Sequence, residues 1–149
     1  MTAKRAVLVL GVLLAACGRT GVPAAAPDIS GTYLGQVVSS DGEQAALQVR
    51  LQSQGQQVSA QVRSLATGQV LTLHGLNTPG SPATVQLWAA SGSGGRCTPD
   101  LSERYSVRLT FQQDGRSATG HVTHEQCNPV TRQLQPVDDG SGTLQLRQP

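Results

Sequence analysis

The chain has 149 residues, 38% of them hydrophobic and 13% charged, with a formal charge of +2. That length suffices for one domain. The surplus charge is Lys4 and Arg5, so residues 17–149 carry 9 arginines against 9 acidic side chains. A balanced domain has no basic field to attract nucleic acid or acidic lipid, and no nucleic-acid partner is expected.

The first residues have the layout of an export signal. Lys4 and Arg5 precede an apolar run from Ala6 to Ala16. The run is too short for a permanent membrane helix and lies where a signal peptide has its hydrophobic region. It ends in Leu14-Ala15-Ala16-Cys17, which resembles the lipobox of bacterial lipoproteins. The chemistry suits the spacing: small side chains let a peptidase reach the bond, and the thiol can be alkylated by a diacylglycerol group. The resemblance implies that residues 1–16 are removed and that Cys17 becomes the lipidated first residue. Acyl chains such as palmitate then hold the protein to a membrane, at about 0.8 kcal/mol per buried methylene. In enterobacterial lipoproteins an Asp after the cysteine retains the protein at the inner membrane. Gly18 stands there in this chain. The resemblance therefore implies the outer membrane, facing the periplasm or the cell surface.

Residues 17–27 read as the lipidated cysteine and a short linker, and 28–149 as a single domain. Within that domain, apolar and polar residues alternate with period two, as in Leu47-Gln-Val-Arg-Leu51, Val58-Ser-Ala-Gln-Val62 and Val107-Arg-Leu-Thr-Phe111. This is the pattern of half-buried strands. Eight are expected, near 30–39, 44–53, 56–65, 69–77, 83–90, 103–112, 116–124 and 142–148. Short turns at 53–56, 77–82 and 113–116 join neighbours, and Asp114-Gly115 is a type I′ hairpin signal. Consecutive antiparallel strands with one apolar face predict an up-and-down barrel of lipocalin-like form, since closure removes exposed sheet edges. A two-sheet β-sandwich is the alternative. Four aromatic residues are too few for the girdles of a membrane-spanning barrel.

In a meander, alternate loops share an end. The two longest, near 91–102 and 125–141, then lie together and carry Cys97 and Cys127. With Cys17 taken by lipid and export supplying an oxidising compartment, these two are expected to form a disulfide. Both chain ends fall at the opposite end, so the lipid would tether the base and leave the braced mouth facing outward.

Residues for chemistry are sparse. His121-Val-Thr-His124-Glu125-Gln-Cys127 is the densest set of metal-ligand types. However, its histidines have opposite strand parity and its cysteine is better placed in a disulfide. Surface or rim histidines, and no metal or cofactor, are expected. Ser91-Gly-Ser-Gly-Gly95 lacks the Lys-Ser/Thr of a phosphate loop, and Asp138-Asp139-Gly140 falls short of a calcium loop. No nucleophile elbow occurs, and no enzyme activity is expected. Gly31-Thr-Tyr33 resembles the Gly-x-aromatic opening of calycins, the lipocalin and avidin group. There the aromatic plugs the barrel base beneath an Arg from the last strand. Here Arg147 has the wrong parity, because Leu144 and Leu146 claim the inner face.

A non-enzymatic binding module is the expected function. Its partner is a small apolar ligand or an envelope protein, with Leu51, Leu65 and Val107 as interior residues near the mouth. A structural or accessory lipoprotein acting through protein contacts is the alternative.

Overall fold

Alternation with period two gives each strand one apolar face, and such a face must be covered. The computed structural model, which describes residues 25–80, 82–89, 96–99 and 102–149, covers it by closing the sheet on itself. The signal segment, Cys17 and most of the linker lie outside these residues, as does the Ser91–Gly95 run. The strands are β1 (Gly31–Ser39), β2 (Gln44–Gln54), β3 (Gln57–Ser64), β4 (Val70–Thr78), β5 (Thr84–Trp88), β6 (Glu103–Phe111), β7 (Ser117–Cys127) and β8 (Leu134–Arg147). Each pairs antiparallel with the next, and β8 returns to β1, matching Leu34 with Arg147 and Ser39 with Gly142. The protein is thus a closed eight-stranded up-and-down barrel, not a two-sheet sandwich.

The strands follow the expected order with one difference at the mouth and one at the base. The segment 125–141 is not a loop: β7 continues to Cys127 and β8 begins at Leu134, leaving 128–133 as the connection. The pairings Glu125 with Pro136 and Cys127 with Leu134 extend this hairpin beyond the rest of the barrel. Asp114-Gly115 also departs from a type I′ turn, which needs positive φ at both centre residues. Only Gly115 has it, at 66°, and the Gly115 amide donates to Gln112 O at 2.9 Å.

The base is packed solid. Tyr33, Phe111, Leu51, Val85 and Ile29 are buried there. The Tyr33 ring meets Phe111 edge-on, with centroids 5.9 Å apart and planes at 72°. Its hydroxyl lies 2.9 Å from Ile29 O and 3.1 Å from Gly115 O, both acceptors. Burial pushes the Tyr33 hydroxyl up from its ordinary pKa, while a hydrogen bond with the Gln148 side chain pulls the other way. The aromatic plug expected of Gly31-Thr-Tyr33 is therefore in place. Gln148, not the exposed Arg147, reaches it from the end of the chain. Asn77 ties the N-terminal stretch beneath this plug, its side-chain amide donating to Pro27 O at 2.7 Å.

At the mouth, Cys97 and Cys127 are bonded, with Cα atoms 5.7 Å apart. Cys97 belongs to the β5–β6 connection, whereas Cys127 is the last residue of β7. Backbone bonds reinforce the join: Cys97 N donates to Arg132 O at 3.0 Å, and Cys127 N to Ser102 O at 2.8 Å. The disulfide therefore fastens the long connection to the extended β7–β8 hairpin.

Candidate functional site

Packing loosens from base to mouth. Above the plug, Leu73, Leu87, Leu109 and Leu146 form a floor, and over it lies a cavity of about 180 Å³. Its walls are Val37, Leu47, Val62 and Leu71 on one side, and Val107, Val122 and Leu144 on the other. Several of these walls are only half-buried, and Leu71, though it lines the cavity, is 38% exposed. Tyr105 is the one lining residue whose side chain carries a hydroxyl. An apolar lining of this kind favours apolar contents, because water there would lack polar partners.

The three expected ligand residues separate. Val107 lines the cavity. Leu51 faces inward, but β2 runs from mouth to base, and the residue is buried, 1% exposed, in the plug beside Gly31 and Ala60. Leu65 is not interior at all: it lies in the β3–β4 turn at the mouth and is 54% exposed.

The rim departs furthest from expectation. His121 and His74 are exposed, as expected of surface histidines, but His124 is buried, 4% exposed. It shares strand parity with Ala118, Gly120 and Val122, so it faces inward, opposite Tyr105 across the β6–β7 ladder. The two rings stack with centroids 4.3 Å apart and planes at 5°. A bulge in β8 wraps the imidazole. Val122 pairs with Gly142 and His124 with Val137, so residues 138–141 all stand opposite Thr123 alone. Within it, Ser141 Oγ accepts from His124 N at 2.9 Å and donates to Val137 O at 2.6 Å. Gly140 has φ 78°, a conformation that favours glycine, and a Cβ there would stand 3.1 Å from His124 Nδ1. Only a glycine lets the bulge close over the ring, and Gly140 itself lines the cavity.

This packing sets the tautomer. His124 Nδ1 is 2.6 Å from Asp139 O, and a carbonyl can only accept, so Nδ1 carries the proton. In the neutral ring Nε2 is then an acceptor. It is buried and has no hydrogen-bond partner among the described residues, a state that costs about 1–3 kcal/mol. Glu103 Oε2 is 3.8 Å from it, and the Glu103 side chain is largely exposed. Burial raises the pKa of the Tyr105 hydroxyl, and the nearby charges of Glu103 and Asp139 raise it further. On the outer face the neighbouring Arg104 pairs with Glu125.

Strand parity alone marks His124 as inward and Tyr105 as its neighbour, and both residues fall within the expected strands 103–112 and 116–124, so this contact was within reach of the sequence. Cys127 is committed to the disulfide, which removes it as a metal ligand. Among the described residues, no three His, Cys, Asp or Glu side chains cluster to hold a metal.

Fold and site together define a closed up-and-down β-barrel with an apolar cavity under a polar rim. No protein-family model matches the chain, and no curated protein matches it.

Proposed function

We propose that this chain is a lipid-anchored, non-enzymatic binding protein of the bacterial cell envelope that holds a small apolar molecule in the mouth half of its barrel. The observation that carries the binding role is the apolar cavity of about 180 Å³ above a fully packed base. Small-molecule sites are commonly concave, mainly apolar and set at the mouths of β-barrels. Export is supported by the lipobox-like Leu14–Cys17 and by a disulfide, a bond that persists in oxidising compartments. The outer wall carries side chains such as Gln48, Arg50, Gln61, Arg63 and Arg108, which suit water rather than lipid tails. The described N-terminal stretch lies against the base, at Asn77, so an anchor at Cys17 directs the mouth away from the membrane.

Benzene is a suitable first probe, since an apolar cavity of about 150 Å³ accommodates it. Titration followed by methyl NMR is expected to shift Leu73, Leu87, Val107 and Val122 while leaving Ile29 and Leu51 in place. Val107→Phe, which fills the cavity from its wall, is expected to weaken uptake by about tenfold or more, roughly 1.4 kcal/mol. Absence of any shift in the unsubstituted protein would eliminate the ligand-binding role and leave protein contacts as the alternative.

The anchor has its own test. Cys17→Ser is expected to abolish fatty-acid labelling in cells and to leave the precursor uncleaved by the lipoprotein peptidase. Labelled, membrane-retained Cys17→Ser protein of normal mass would falsify the lipoprotein assignment.

A further inference from the structure

Around the mouth, every strand but one is laced to a neighbour close to the rim. β1 and β2 pair up to Val38 and Gln44, β3 and β4 up to Arg63 and Val70, β6 and β7 up to Glu103 and Gln126, and β7 and β8 up to Cys127 and Leu134. Past the last β8–β1 pair, Ser40 N donates to Ser141 O at 3.0 Å, and past the last β2–β3 pair, Leu65 N donates to Ala46 O at 3.0 Å. β5 stops short. Its last residue, Trp88, pairs with His74 of β4 and Ser106 of β6, and Ala89 N adds one bond to Tyr105 O. Above it, among the described residues, β4 runs on from Leu73 to Val70 with no strand on that side. The wall therefore has a notch between β4 and β6, two strand spacings or about 9–10 Å across. Leu71 stands on one bank and Tyr105 on the other, and both line the cavity. Leu71 is 38% exposed, the most open of the lining side chains, so cavity and solvent meet at this residue.

We propose that a single-tailed amphiphile enters the cavity through this notch, tail first, and leaves its polar head outside beside Leu71. This rests on the cavity being a ligand site and adds the route and the form of the ligand. Space fixes how much enters. A cavity of about 180 Å³ takes one ring or about six carbons of a chain, judged against benzene in a cavity of about 150 Å³. Chemistry keeps the head out. Tyr105 is the only lining residue with a polar side-chain group, so a head drawn inside loses water and gains almost no partners. At the notch the backbone can meet it. Asn77 N donates to Gln56 O, so the odd-numbered residues of β4 bond toward β3 and the even-numbered ones turn to the other side. The N–H and C=O of Thr72 and Val70 therefore open onto the notch, unpaired there among the described residues. A hydroxyl head accepts from the one and donates to the other.

Four probes read the route: benzene, 1-hexanol, 1-decanol and a hexanoyl chain ending in a nitroxide, each titrated into the full chain carrying Cys17→Ser. The nitroxide is expected to broaden the amides of Val70, Leu71 and Thr72 most, and benzene to displace it. 1-Decanol should bind at least as tightly as 1-hexanol, because the carbons that do not fit remain in the notch; a closed compartment rejects it. Leu71→Trp crowds the notch and should slow association of the nitroxide probe by about tenfold, whereas Leu71→Ala should speed it. Leu65→Trp, on the neighbouring turn and already exposed, should change neither rate. Broadening centred on residues 128–133 or 138–142, rejection of 1-decanol, or association indifferent to Leu71→Trp overturns the side entrance and leaves the cavity standing. Exclusion of all four probes, benzene included, overturns both.

Discussion

Tyr33→Ala is expected to lower the unfolding free energy by about 3–5 kcal/mol, the range for large aromatic truncations in a packed core. The ring is fully buried between Phe111 and the inner faces of its neighbours, so its removal leaves a void with little room to collapse. The hydroxyl adds a separable part. Tyr33→Phe keeps the ring and strands the carbonyls of Ile29 and Gly115, and should cost about 1 kcal/mol. Leu34→Ala, one residue along and on the exposed face, should change stability by no more than about 0.5 kcal/mol. Urea denaturation of the three variants reads the order directly. If Tyr33→Ala and Leu34→Ala cost the same, Tyr33 is not the plug of the base.

Replacing Cys97 and Cys127 together with Ser is expected to cost roughly 3–4 kcal/mol, the chain-entropy value for a loop of this length, and to leave the barrel folded. The loop closed by the bond spans 30 residues of separation. The core lies below it, in Leu73, Val85, Leu87, Leu109 and Phe111, none of which depends on the bond. Loosening should begin where the bond acts. In hydrogen exchange, the amides of Cys97 and Cys127, bonded to Arg132 O and Ser102 O, should lose protection first, and those of β3 and β6 last. A doubly substituted chain that fails to fold would show that the barrel core is not self-sufficient.

Most of the barrel was legible in the alternation, because each inward residue of β2, β3 and β6 declares itself by parity. Direction along a strand was legible too, and Leu51 shows how it is lost. Two residues before the Ser53 turn, in a strand that descends to the base, it belongs to the plug however apolar it is. Leu65 marks a different limit, since an apolar residue at the end of an alternating run can pass into a turn and face water. The upper part of β7 and β8 was hidden for a physical reason. Pro136 and Asp138-Asp139-Gly140 are loop and turn residues by composition, yet Pro136 pairs with Glu125 and the Asp-Asp-Gly run is a bulge. His124 stood at the end of the expected seventh strand and its inward parity was readable, but with the start of β8 read as a loop nothing showed that a bulge would bury it.

The β8 bulge makes fold and site separable parts of one chain. Four residues stand where a regular ladder needs one, and the pairings above and below are each in step. Removing Asp138, Asp139 and Gly140 would bring Ser141 opposite Thr123 and merge the two ladders into one uninterrupted hairpin, with no change in strand number or closure. What would disappear is the carbonyl that holds His124 and the glycine wall of the cavity. Three residues thus separate an uninterrupted β7–β8 hairpin from one whose last strand folds over a buried imidazole. A shortened chain that folds as well as the original would show the bulge as an addition to an already complete scaffold.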